Sequence, residues 1–245
     1  MNNNLLKYSF RSLKKQKSFV FINILGLSVG LVCAIIIGLF ILYELSYDQY
    51  HENKDRTYRV ILNGKLGGQE VKVTSTASVI APTMLNEFPE VESFLRLSNR
   101  GQTNIQYGEK FFTEDNVIEA DSTFFSFFSI PLIRGNAETV LAEPYYVVLS
   151  ESTAKKIFGE EDPINQMLQV GNDETQYKVT GIYRDVPENT HFRARVIASF
   201  MTNPRATENE WLSNSFETYV MLKPNMLPEN VNERFAPMIE KYVGP

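Results

Sequence analysis

The sequence holds a single cysteine, Cys33, and only two histidines, His51 and His191, among 245 residues. One cysteine excludes an intrachain disulfide framework, and so few soft ligands cannot assemble a zinc site. Basic charge is also short, with 24 Lys and Arg against 29 Asp and Glu. The deficit is uneven. Residues 1–18 carry Lys7, Arg11, Lys14, Lys15 and Lys17 without an acid, so beyond them 19 bases oppose all 29 acids, a net −10. An acidic body lacks the basic face that phosphate contacts require, which excludes nucleic acid as a general partner. A phosphate loop is missing too. In GKLGG, Lys65 is followed by Leu66 rather than Ser or Thr, and no helical pattern follows. Neither Ser150 nor Ser152 sits in a G-x-S-x-G turn, and Glu160, Glu161 and Asp162 lack the alternating spacing of a calcium loop. The expectation is a chain with no catalytic, cofactor-binding or metal residues.

What is present is a long apolar run. Phe19 to Tyr43 contains no charge and only Asn23 and Ser28 as clearly polar residues. At 1.5 Å per residue a helix of that length reaches roughly 37 Å, enough to cross a hydrocarbon core of about 30 Å with some tilt. It is too long for a signal-peptide core and lacks a small-x-small cleavage site. Five bases before it and Glu44, Asp48, Glu52 and Asp55 after it place the N-terminus in the cytoplasm. Gly26, Gly30, Ala34 and Gly38 recur every four residues, a small face on which another membrane helix could approach closely. Before the span, Leu6, Phe10 and Leu13 share one side of a helix and Lys7, Arg11, Lys14 and Lys15 the other, which suits an interfacial helix on an anionic leaflet.

Beyond Tyr50 the pattern is α+β. Strands are expected at Tyr58–Asn63 and Glu70–Ser75, joined by a hairpin at Gly64, Gly67 and Gly68, and then at Val91–Leu97. Further strands are expected at Tyr145–Ser150, Gln176–Tyr183, Arg195–Met201 and Thr218–Leu222. Helices are expected at Ser78–Phe88, at the Phe124, Phe125, Phe127 and Phe128 cluster capped by Asp121 or Ser122, and at Ser152–Phe158 ending on Gly159. A last helix opens at Pro228 with Val231, Phe235, Met238, Ile239 and Tyr242 on one face. The four phenylalanines read as core packing.

The ordered succession YDQYHENKDRTYRV, FPEVESFLRL, ADSTFFSFFSIPLIRG, VVLSESTAKKIFGEEDPI, VTGIYRDVPENTHF and ASF resembles the N-terminal part of FtsX-like, MacB-type ABC transporter permeases. Each block is weak alone, and the set is specific and runs over nearly the whole chain. The resemblance implies a cytoplasmic amphipathic helix over 1–18, a transmembrane helix over 19–43, and a periplasmic porter-like α+β subdomain in two parts, 44–107 and 188–245. A second α+β subdomain would be inserted between them at 108–187. It further implies an inner-membrane permease that is not an enzyme and holds no cofactor. Such a permease forms a homodimer or pairs with another permease, works with a separate cytoplasmic ABC ATPase, and transmits that motion for export or envelope signalling, with room for a periplasmic protein partner. Two departures stand out. Asn165-Gln166 replaces the family's Gly-Lys, and Asn tolerates positive φ well enough for the turn to survive. The family also continues beyond residue 245 into a last periplasmic strand and more membrane helices, so this chain is expected to be a fragment or a truncated product. A single-pass, membrane-anchored periplasmic binding or sensing module explains one span equally well; the small-residue face favours the permease.

Overall fold

The computed structural model describes residues 17–47, 49, 51–66, 69–187 and 189–244. The chain divides after Tyr47 into an N-terminal helical unit and a sheet domain. Helix α1 runs Lys17–Leu45, two residues longer at each end than the apolar run, and none of its residues is buried. A helix apolar on every side satisfies its own backbone groups, the condition for lying in lipid.

The sheet domain contains strands β1 (Thr57–Arg59), β2 (Leu62–Leu66), β3 (Gln69–Val73), β4 (Val91–Tyr107), β5 (Lys110–Ala120), β6 (Leu132–Arg134), β7 (Tyr146–Ser150), β8 (Met167–Val170), β9 (Gln176–Tyr183), β10 (Val196–Ser199) and β11 (Glu217–Leu222). Its helices are α2 (Ile80–Glu87), α3 (Phe124–Phe127), α4 (Glu151–Phe158) and α5 (Pro228–Val243). All strands except the β2–β3 hairpin join one sheet in the order β1-β11-β4-β5-β10-β7-β9-β6, with β8 bridging β4 and β9.

That bridge closes a ring. β4 pairs with β5, β5 with β10, β10 with β7, β7 with β9, β9 with β8, and β8 returns to β4 through Ile105↔Val170. A closed ring has no free edge, so side chains that alternate inward must fill it. Ile105, Val117, Val147, Leu149, Leu168 and Val179 do so, with Ile157 and Phe158 of α4 against them. The residues between them face the other way. Val148 and Ile197 join Leu95, Leu97, Met221 and the phenylalanine cluster in a second core, so β7 and β10 are buried on both faces and read as continuous apolar runs. On the β1-β11-β4 part of the sheet, α2 and α5 cover a third core around Met84, Val91, Val220, Leu222 and Val231.

Several local expectations are corrected. The strand expected at Tyr58–Asn63 is two strands, because β1 pairs with β11 whereas β2 turns away to pair with β3, and Gly64 lies inside β2. The expected Val91–Leu97 strand continues to Tyr107, and β5, absent from the sequence reading, pairs with it as a long ribbon. Polar residues such as Asn99, Gln102 and Asn104 hid this ribbon's apolar alternation. Neither Asp121 nor Ser122 caps α3. The N-cap position is Thr123, with no side-chain cap bond, because the Asp121 carboxylate is engaged by Arg96. β10 stops at Ser199 and the chain tightens into a 3₁₀ turn over Phe200–Thr202, burying Phe200. Other expectations hold: α4 ends at Gly159 with φ 64°, and Asn165 takes φ 68°.

Candidate functional site

The small-residue face lies wholly within α1. Gly26, Gly30 and Ala34 are exposed and Gly38 is half-buried, and a Cβ placed on any of the three glycines would meet no atom within 4 Å outside its own helix turn. The bulky residues around them, among them Leu27, Leu31, Ile37 and Phe40, stand out from the helix with more than half of their surface exposed. Leu6, Phe10, Leu13, Lys7, Arg11, Lys14 and Lys15, the expected interfacial set, lie outside the described residues.

In the sheet domain, polar chemistry is used to join elements. Arg96 of β4 is 7% exposed; it holds Asp121 through two bonds and donates to the backbone oxygens of Ser78 and Ala206, each at 3.0 Å. Its guanidinium lies 4.3 Å over the Phe200 ring. Glu114 of β5, buried in the ribbon, is neutralised by Lys156 of α4 at 2.6 Å. Buried Glu119 accepts from Asn203 at 2.6 Å, and Arg100 lies 3.7 Å away while donating to the Tyr177 hydroxyl at 3.0 Å. Burial raises the Tyr177 pKa above its ordinary value, with Arg100 opposing the shift. Unpaired buried charge is costly, so each of these pairs fixes a register between strands and turns. None carries a nucleophile poised by a base.

The serines considered as nucleophiles have structural partners. Ser150 is the N-cap of α4, accepting from the Thr153 N–H, and Ser152 donates to Asp185 at 2.9 Å. Among the described residues no group of three His, Cys, Asp or Glu side chains is placed to hold a metal ion. Glu161 and Asp162 serve surface contacts with Tyr107 and Arg134. Among the described residues, grooves open on the surface in at least two places. One, of about 690 Å³, lies between β1 and α5 over Met84, Val220 and Leu222; another, of about 630 Å³, lies between α2 and the Ala206–Trp211 segment. His51 was not singled out from sequence. It is 6% exposed and bonded to the Phe128 carbonyl oxygen at 2.6 Å, a contact spanning 77 positions that local patterning could not show.

Comparison with known proteins gives the site its context. The family model for MacB-like periplasmic core domains matches residues 20–238. A search of curated proteins finds no match. Among solved structures, a domain of a Porphyromonas gingivalis protein described as a permease is 22% identical, covers 79% of this chain and 84% of its own, and superimposes with a TM-score of 0.72. The periplasmic region of MacB from Actinobacillus actinomycetemcomitans is 16% identical, with 76% and 83% covered and a TM-score of 0.55. At these identities the two structures speak to the fold alone.

Proposed function

Since this chain belongs to the MacB-like periplasmic core domain family, we propose that it acts as a permease subunit of a MacB/FtsX-type ABC transporter. In this reading a separate cytoplasmic ATPase drives movement of α1 and its neighbours, and the sheet domain receives that movement in the periplasm for export or envelope signalling. The observation that carries it is the family match, which extends from inside α1 to inside α5. An anchor needs only an apolar helix. A moving part needs neighbours, and the Gly26, Gly30, Ala34 and Gly38 face supplies a surface for a second copy or a paired permease.

The proposed topology puts residues 1–18 in the cytoplasm and 44–245 in the periplasm of an inner membrane, because all five N-terminal bases precede the span. Residues 44–107 and 188–245 form the porter-like part and 108–187 the insertion. The β1-β11-β4 end of the sheet has a core of its own, built from Val60–Val91 and Val220–Met238 residues, which suits a porter-like part; the ring core draws Ile105, Val196 and Ala198 from the two flanks as well as residues of 108–187, so the two parts share strands. The chain is not itself an enzyme in this reading; the ATPase is.

The test is affinity purification of the tagged chain from its native membrane in mild detergent. Co-purification of an ATP-hydrolysing subunit, with hydrolysis altered when residues 48–245 are bound by an antibody fragment, is the expected result. Isolation with no nucleotide-binding partner would favour the single-pass sensing module. Topology is read separately in a Cys33→Ser background: Asn3→Cys should resist an impermeant thiol reagent in intact cells and Asn172→Cys, on an exposed loop, should react.

A further inference from the structure

His51 lies six residues beyond Leu45, the end of α1, and six before Thr57, the start of β1. Its Nδ1 is 2.6 Å from the Phe128 carbonyl oxygen, so that nitrogen carries the proton and donates. The imidazole centroid is 5.0 Å from the Phe128 ring. Phe128 in turn stands among Phe192, Phe127, Phe124 and Tyr219, with centroids at 4.3, 5.2, 5.5 and 6.0 Å. The chain coming from the span is thus fastened to the middle of the phenylalanine core before it reaches any strand.

The next point of attachment is β1, preceded by Arg56, whose guanidinium reaches Glu92 at 2.6 Å and the Leu222 oxygen at 2.8 Å near the surface. β1 has three residues, pairs only with β11 among the described residues, and is held at its far end by Val60 N–H to Thr218 O at 2.8 Å. An edge strand loaded from its end gives up its hydrogen bonds one at a time, whereas a buried ring must leave its core as a unit. Local opening therefore starts more easily at β1 than at His51.

We propose that His51 is the anchor through which a pull arriving along the chain from α1 is handed to the aromatic core, so that β1 is not the element that bears the load. This rests on the reading that motion passes through the span. Its test reads the chain's mechanics alone, so failure of ATPase coupling would not be mistaken for failure of the anchor.

The experiment is single-molecule force extension of the full chain in a lipid nanodisc, in a Cys33→Ser background, between a handle at Glu44→Cys and one at the C-terminus. The wild-type His51 chain should extend without any step before the main rupture of the domain. His51→Ala should add an early step on the order of 3 nm, the length of chain from residue 51 to the end of β1, at less than half the rupture force. His51→Gln, which retains a donor for the Phe128 carbonyl, should move the early step back toward rupture. Moving the handle to Glu52→Cys bypasses the anchor without altering it, and should produce the early step in an otherwise unchanged chain. That measurement decides the matter if His51→Ala does not fold. An early step already present with the Glu44 handle, or the same traces from both handle positions, would overturn the proposal.

Discussion

Arg96 grips Asp121 with both ends of its guanidinium fork, Nε 2.9 Å from Oδ2 and Nη2 2.8 Å from Oδ1, while the Arg96 backbone N–H also reaches Oδ2 at 2.8 Å. The pair ties β4 to the turn that opens the phenylalanine helix, and Arg96 adds the start of α2 and the turn at Ala206. Removing one partner leaves the other charge buried. Asp121→Asn should therefore destabilise the sheet domain by about 3–5 kcal/mol, whereas the paired change Arg96→Met with Asp121→Leu should cost less than the sum of the two single changes. Denaturant melts of the wild type and the four variants check this; additive effects would contradict it.

Asn165 adopts φ 68° and donates its N–H to the Val179 oxygen at 2.8 Å. The turn needs a residue that accepts the left-handed region. Asn165→Gly should be neutral or stabilising by up to about 0.5 kcal/mol, and Asn165→Val should cost about 1–2 kcal/mol, because a β-branched side chain clashes there. Thermal melting of the two variants reads the difference.

Hydrogen bonds from Lys241, and then from Tyr242, lower the Glu87 pKa below its ordinary value near 4.5, tying the end of α5 to the end of α2. A carboxyl with a folded-state pKa below its unfolded one stabilises the fold above the ordinary value and loses that contribution as pH falls through the folded-state value. Exposure and salt keep the effect small. Amide exchange in the last turns of α5, corrected for its intrinsic pH dependence, should therefore speed up between pH 5 and pH 3. Glu87→Gln should abolish that added pH dependence; an unchanged profile would show that the contact carries nothing.

On the membrane helix, Gly30→Leu or Ala34→Leu should weaken association with a second helix about tenfold, because a branched side chain on the small face holds backbones apart. Ile36→Leu, off that face, is the control. An in-membrane association assay that ranks all three alike would remove the packing role.

Much of the fold was legible because its signals were local. The run from Phe19 to Tyr43 announces α1 by length alone, Gly159 ends α4 by capping chemistry, and Gln176–Tyr183 appears at the residues expected. The β4–β5 ribbon was missed because its partners are polar along much of one side, so no alternation stands out. Asp121 was misread as a cap because a sequence shows that a carboxylate can accept backbone N–H groups, but not that a guanidinium 25 positions away will claim it first. The anchor His51 was passed over for the same reason.

The amino-acid order by itself determined the apolar rod, the small face along it, the acidic character of everything beyond, and the motif succession that marks the family. These depend on composition, spacing and neighbours within a few residues. The tertiary structure alone decided that six strands close into a ring, that β7 and β10 are buried on both faces, and that His51 enters the phenylalanine core. Each of those outcomes depends on which distant segment offers a matching hydrogen-bond edge or fills a given volume, as Ile105 does for Val170 and Val117 for Val196. Such choices are settled by competition among all the segments at once, and no single stretch of sequence contains that information.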